Sequence, residues 1–122
     1  MSYGYTNFEF KRQFTLEDRI QQSTRIISKY PDKRPIICEK INNQHDLPDI
    51  DKNKYLVPFD LTIGQFIYVI RKRINLKPEE AIFLFINNQI VTGTTIIGNV
   101  YQYSKDPDGF LYIKYAKENT FG

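Results

Sequence analysis

The sequence predicts one α+β domain: a four-stranded mixed sheet, a central helix laid across it, and a helical extension at the N-terminus. Three observations carry this. The 122 residues, 41% hydrophobic and 15% aromatic, suffice for one core and are too few for a two-domain enzyme. Apolar residues recur at helical spacing in two long stretches, and four shorter ones read as strands by alternation, composition or a continuous apolar run. Prolines and asparagines punctuate these stretches, so each element is short.

The elements follow in order. The first dozen residues, with two Tyr and two Phe, show neither period and predict an arm with at most a short helix. Thr15 with Asp18 marks a helix start, and Pro31 forbids continuation, which places a helix over 16–29. Its apolar residues Leu16, Ile20 and Ile27 form a narrow stripe opposite a polar side of Asp18, Gln21, Gln22, Arg25 and Lys29, so the helix covers a pre-existing fold. From Pro35 the pattern alternates through Ile41, a strand. Residues 42–53 are polar and contain Pro48, a loop.

Residues 54–59 have strand composition but include Pro58, whose missing N–H cannot serve a central ladder; this predicts an edge strand. Thr62 and Gln65 form a capping box, and Ile63, Phe66, Ile67, Ile70 and Ile74 keep a helical period until Asn75 and Pro78. Ile82 to Ile86 is a buried strand bounded by Asn87 and Asn88. Thr95 is placed to cap a short helix through Ile97, Val100 and Tyr101. Asp106-Pro107-Asp108-Gly109 is a strong turn, and Phe110 to Ala116 alternates as a last strand. Two strands, a helix across the sheet and two more strands is the β-grasp arrangement of ubiquitin-like domains. The expected division, within one domain, is an arm and helical extension at 1–29 packed on the core, a β-grasp core at 30–116 and a flexible tail at 117–122.

Composition excludes several functions. A net charge of +3 is too small for a sequence-independent nucleic-acid binder. One cysteine and one histidine exclude an intramolecular disulfide and a Cys/His zinc site. No apolar run is long enough for a membrane span, and the first residues lack a signal-peptide layout, so a cytoplasmic chain is expected. Charge is uneven: residues 1–77 hold 14 basic and 9 acidic side chains, whereas 78–122 hold 3 and 5. An acidic partner would therefore land on the front two-thirds.

No catalytic set stands out. His45 beside Asp46 lies in a polar loop with no nucleophile placed near it, and Cys38 in a strand reads as a packed thiol. A small hydrolase using His45 and Cys38 is accordingly disfavoured, and the chain is read as a non-enzyme without cofactor or metal. Arg71-Lys72-Arg73 ends the central helix, where cations complement its dipole. Lys33, Arg34, Lys52 and Lys54 flank the predicted edge. Two readings of that edge stand open: the lysines blunt it against aggregation, or it accepts an acidic extended peptide as an added strand. The sequence closes with Lys117-Glu118-Asn119-Thr120-Phe121-Gly122. A polar tail ending in glycine can thread a narrow active site and present its carboxylate without a side chain in the way.

Five blocks go beyond fold: residues 30–40 (YPDKRPIICEK), 51–58 (DKNKYLVP), 60–66 (DLTIGQF), 70–74 (IRKRI), and 108–113 (DGFLYI) running on to 118–122 (ENTFG). Together they resemble the autophagy ubiquitin-like modifiers of the GABARAP type, from about Leu16 to the last residue. The resemblance implies conjugation. A cysteine protease exposes the glycine, matched by Gly122, with Thr120 and Phe121 in the recognised tail. Activating and conjugating enzymes then transfer the chain to phosphatidylethanolamine, on autophagosomal and other vesicle membranes.

It also implies binding of cargo receptors carrying an aromatic-x-x-aliphatic motif with acidic neighbours. The aromatic residue would enter Ile26, Pro35, Ile37, Lys54, Leu56 and Phe110. The aliphatic one would enter Tyr55, Val57, Pro58, Leu61, Phe66 and Val69. Phe66 and Ile37 are expected at the margin of the core. Lys33, Arg34, Lys52, Lys54 and Arg71 would face the acidic neighbours. The alternative is a ubiquitin-like adaptor that keeps the groove but is never conjugated, acting in vesicle traffic or on microtubules. Departures from the family pattern at Gln22, Arg34, Val91-Thr92-Gly93 and Tyr103-Ser104 bear on partner selectivity.

Overall fold

The computed structural model describes residues 7–42 and 46–117. A short helix α1 (Glu9–Gln13) and a longer α2 (Leu16–Lys29) precede strands β1 (Lys33–Lys40) and β2 (Lys54–Pro58). Helix α3 (Ile63–Ile74), strands β3 (Ile82–Ile86) and β4 (Gln89–Ile90), helix α4 (Ile97–Ser104) and strand β5 (Leu111–Lys117) complete the order. The sheet order is β2-β1-β5-β3-β4, with β1 and β5 parallel and the other pairs antiparallel. Lys117 thus belongs to β5, one residue further than the expected end of the core.

Side chains alternate across this sheet and divide it into two packed faces. Ile36, Cys38, Tyr55, Val57, Leu111, Ile113 and Tyr115 join Ile63, Phe66, Ile70 and Ile97 in the main core under α3 and α4. Ile37 and Phe110 pack on the opposite face with Phe8 and Phe10 of the arm. The α3 capping box forms as expected, and Asn75 closes that helix in the left-handed conformation. Pro35 is buried inside β1, yet pairing with β5 begins only at Ile36, so no ladder bond there lacks its donor.

Four expectations need correction. The sheet has five strands among the described residues, not four. Asn87 and Asn88, both at positive φ (51° and 66°), make a two-residue hairpin turn that adds β4 to β3. A two-residue strand is too short to show a period. Second, Thr95 does not cap α4. Its hydroxyl pairs with that of Thr92 at 2.9 Å, and the first N–H groups of the helix donate to the carbonyls of Leu61 (2.8 Å) and Phe59 (2.7 Å) instead. Third, Leu16 and Ile20 are exposed on α2. The helix seats through Arg19, Ser23, Ile26 and Ile27, because the surface beneath it is the polar 106–110 turn: Ser23 Oγ donates to the Asp108 carbonyl at 2.5 Å, and Arg19 pairs with the Asp108 carboxylate at 2.7 Å. Fourth, Phe66 and Ile37 are fully buried rather than marginal.

Candidate peptide-binding edge

Strand β2 is the outer strand on one side of the sheet, and its hydrogen bonds fix which main-chain groups remain free. Cys38 N–H donates to the Asn53 carbonyl (2.8 Å) and Phe59 N–H to the Asp32 carbonyl (3.1 Å). Between these two ends the register runs Ile36↔Tyr55 and Arg34↔Val57. Bonded and non-bonded pairs alternate in an antiparallel ladder, so Asn53, Tyr55, Val57 and Phe59 point their main chain at β1. Lys54 and Leu56 therefore present N–H and C=O outward, away from the sheet. Pro58 falls on the same outward side, where its missing N–H leaves no donor unmet.

The same alternation sorts the expected pocket residues. Leu56 and Lys54 lie opposite Pro35 and Ile37, on the face that carries α2. Ile26, Ile37 and Phe110 belong to one apolar cluster there, and Lys54 Nζ donates to Gln22 Oε1 at 2.9 Å. The second set, apart from Pro58, lies on the α3 face. Tyr55 meets Phe66 edge-to-face at 5.5 Å, Val57 is buried, Leu61 packs against the core, and Val69 is exposed on α3. Pro58 departs from expectation: exposed at the end of β2 and paired with Lys33, it falls on the α2 face by the same alternation. One exposed strand edge thus has an apolar set on each side.

The cations divide as well. Lys33 and Lys54 share the α2 face, and Lys52 lies over the Tyr55 ring at 5.2 Å. Arg34 points to the other face. Its guanidinium sits 5.4 Å from the Phe59 ring and 5.5 Å from Tyr101, and it donates to the Pro31 and Lys33 carbonyls, so its charge is spent on α4 and the chain entering β1. Arg71 also departs from expectation. It donates to the carbonyls of Lys77 (2.9 Å) and Glu80, which closes the loop after α3 instead of leaving the guanidinium for a partner. Neighbouring Arg73 binds Asp51 at 2.9 Å and holds that exposed carboxyl below the usual range.

Sequence reasoning expected an arm packed on the core but missed the residues that anchor it. Phe8 and Phe10 are buried, and Phe10 stands edge-to-face on Phe110 at 5.0 Å. No period could reveal them, because the arm docks by isolated residues. Lys11 Nζ binds Asp106 Oδ1 at 2.7 Å. Burial alone would raise the Asp106 carboxyl, but Lys11 and the Asp108 N–H outweigh it and hold the group below its ordinary value. A depressed carboxylate contributes stability that is complete above its unfolded pKa of about 3.9 and is lost as pH falls through the folded value. Chemical denaturation from pH 5 down to pH 3 should therefore show a smaller loss of stability in Asp106→Asn than in the parent chain. An equal loss would assign no part of the acid sensitivity to this pair.

Cys38 is fully buried, and desolvation first, then Glu39, pushes its thiol well above the ordinary range, which leaves it a packing residue. His45, Thr120, Phe121 and Gly122 lie outside the described residues. Among the described residues no group of His, Cys, Asp and Glu could hold a metal ion, and no helix is long and apolar enough to cross a membrane.

With the fold and the edge placed, likeness to known proteins becomes specific. The family model described as "Autophagy protein Atg8 ubiquitin like" matches residues 18–122. This chain belongs to the Atg8 family of autophagy ubiquitin-like modifiers. It is 54% identical over 114 residues to the autophagy-related protein 8 of Schizosaccharomyces pombe, covering 93% of each chain. It is 52% identical over 113 residues to that of Kluyveromyces marxianus, covering 93% of this chain and 90% of the relative. The crystal structure of Trypanosoma brucei ATG8 superposes with a TM-score of 0.89 at 41% identity, over 96% of this chain and all of that one. The span matched by the family model contains all five blocks.

Proposed function

We propose that this Atg8-family chain is joined through Gly122 to phosphatidylethanolamine and, on the membrane, recruits cargo receptors by adding their aromatic-x-x-aliphatic segments to β2. The observation that carries the reading is the outward main chain of Lys54 and Leu56 with an apolar set on either face. An extended peptide would hydrogen-bond to those two residues and send alternate side chains to opposite faces, the aromatic anchor toward Ile37 and Phe110 and the aliphatic anchor toward Tyr55 and Leu61. Lys33, Lys52 and Lys54 would draw in acidic flanks, acting on approach rate and partner choice more than on affinity.

The chain contributes the acyl group; the catalytic cysteines belong to the processing protease and to the activating and conjugating enzymes. Gly122 suits this because a glycine carboxylate passes a narrow catalytic cleft without a side chain. The two acyl chains of the lipid then supply the stable anchor that one chain alone does not. The extension at 1–29, the core from residue 30 through β5 and the tail beyond it act as one domain. The working locations are the cytoplasm before conjugation and autophagosomal or other vesicle membranes after it.

Incubation with purified activating and conjugating enzymes, ATP and phosphatidylethanolamine vesicles should yield a vesicle-bound adduct, visible as a mass increase at the C-terminus. Deleting Gly122 should abolish it; undiminished transfer would overturn the conjugation reading. Peptide binding without transfer would favour the unconjugated adaptor. In calorimetry with an acidic aromatic-x-x-aliphatic peptide, Leu56→Ala should weaken binding about tenfold, the effect of truncating a central apolar contact. Lys54→Glu should weaken it further for peptides with acidic flanks. Unchanged affinity in both variants would remove the peptide from this edge.

A further inference from the structure

Glu39 and Lys114 form a polar link that joins three separate parts of the molecule. The Glu39 carboxylate accepts the N–H groups of Glu9 (2.8 Å) and Phe10 (3.1 Å), the opening residues of α1. The same carboxylate accepts from Asn53 Nδ2 at 3.1 Å, one residue before the edge strand. Lys114 is 2% exposed. Its ammonium donates to the Asn7 carbonyl at 2.6 Å, lies 4.0 Å from Glu39 and stands 4.3 Å from the Phe8 ring centroid. Burying an ammonium is costly unless it is paired, so this arrangement spends a desolvated charge on holding the arm.

What the arm covers gives the expense a purpose. Phe8 and Phe10 share one cluster with Ile37 and Phe110, against which Ile26 also packs; these last three belong to the set assigned to the aromatic anchor. Phe10 stands edge-to-face on Phe110 at 5.0 Å, and Phe8 on Tyr112 at 4.8 Å. A ring packed on one side is confined to its rotamer; with that packing removed it gains freedom that binding must then take away.

We propose that the N-terminal arm is the rear wall of the aromatic pocket: Phe8 and Phe10, latched by Glu39 and Lys114, hold Ile37 and Phe110 in the shape that receives the anchor. Phe10 is a positioning residue for binding at the edge, and Glu39 couples arm docking to the start of β2. The inference rests on the peptide-binding reading of that edge. Because coupling is reciprocal, a bound peptide must also steady the arm.

The test is calorimetry on the full chain with two peptides, one with acidic residues before Trp-x-x-Leu and one with the Trp replaced by Leu. Phe10→Ala should weaken the Trp peptide about tenfold and the Leu peptide about twofold, and Phe10→Leu should restore the Trp peptide to within about threefold of the parent. Equal weakening of both peptides, or none, would overturn the proposal. Hydrogen exchange on the unaltered chain gives a second measurement should Phe10→Ala not fold. The Trp peptide should slow exchange at the Glu9 and Phe10 amides severalfold, and Lys114→Met should reduce that slowing; unchanged exchange at both amides would overturn it too. A parent chain that binds neither peptide refutes the edge reading itself, a result distinct from binding that ignores the arm.

Discussion

Asp108→Ala is expected to lower the unfolding free energy by about 3–5 kcal/mol, the range for removing one partner of a buried ion pair. Asp108 is 1% exposed and its carboxylate is fully engaged. One oxygen takes the Phe110 N–H at 2.8 Å; the other takes the Arg19 guanidinium at 2.7 Å and the Tyr112 hydroxyl. Removing it leaves Arg19, itself only 11% exposed in its side chain, as a nearly buried cation without its anion, and frees an N–H and a hydroxyl inside the fold. In a domain of this size the loss corresponds to a fall in Tm of roughly 10 °C or more. Asp108→Asn keeps the acceptor toward Phe110 and should cost less. A thermal scan that places Asp108→Ala within about 2 °C of the parent would show that the pair does not hold α2 to the core.

Gly109→Ala should cost about 2–4 kcal/mol, for two separable reasons. Gly109 has φ of +93°, which side-chain-bearing residues rarely adopt, and an added Cβ would overlap Ser23 Oγ and lie 2.9 Å from Ser23 Cβ. The backbone reason is local, whereas the steric one pushes α2 off the turn. Gly109→Asn distinguishes them, since asparagine tolerates positive φ better than alanine but carries the same Cβ. If the approach of α2 dominates, Asn is as destabilising as Ala in urea denaturation. An Asn variant within about 0.5 kcal/mol of the parent would assign the cost to φ alone.

Both variants act on a segment that the sequence marks only as a turn. Asp-Pro-Asp-Gly is a turn signal whatever lies around it, because each residue suits the local backbone. That Asp108 faces Arg19, 89 positions away in sequence, is a property of the docked extension. The arm repeats the lesson: α1 has five residues and a nonhelical Phe8 at its N-cap, whose side chain cannot cap it. Its partners Glu39, Asp106 and Lys114 come from distant parts of the chain, so nothing nearby announces them. Helix α4 is similar, its first N–H groups satisfied by the main chain of residues 59–61.

By contrast, α3 was legible to the residue. Its Thr62/Gln65 box, its inward Ile63, Phe66, Ile70 and Ile74, and its Asn75 terminator are all local signals within one stretch. The edge position of β2 followed from Pro58 for a comparable reason, since a missing N–H is visible in sequence and constrains the ladder directly. Of the groove cations, sequence could name them but not aim them. Arg34 and Lys33 are adjacent, yet in a strand they face opposite sides, so one serves the α2 face and the other stacks between Phe59 and Tyr101.

The sequence by itself determined the elements that carry their own period, cap or breaker: the helices over 16–29 and 63–74, the four longer strands, and the α+β class that their order implies. Tertiary structure alone decided the sheet's fifth strand, the seating of α2 through Ser23 and Arg19, the anchoring of the arm by Phe8 and Phe10, and the direction of each groove cation. The division has a physical basis. Periodicity and capping act over a few residues, whereas burial of Asp108, Lys114 and Phe10 depends on surfaces that become neighbours only when the sheet is assembled.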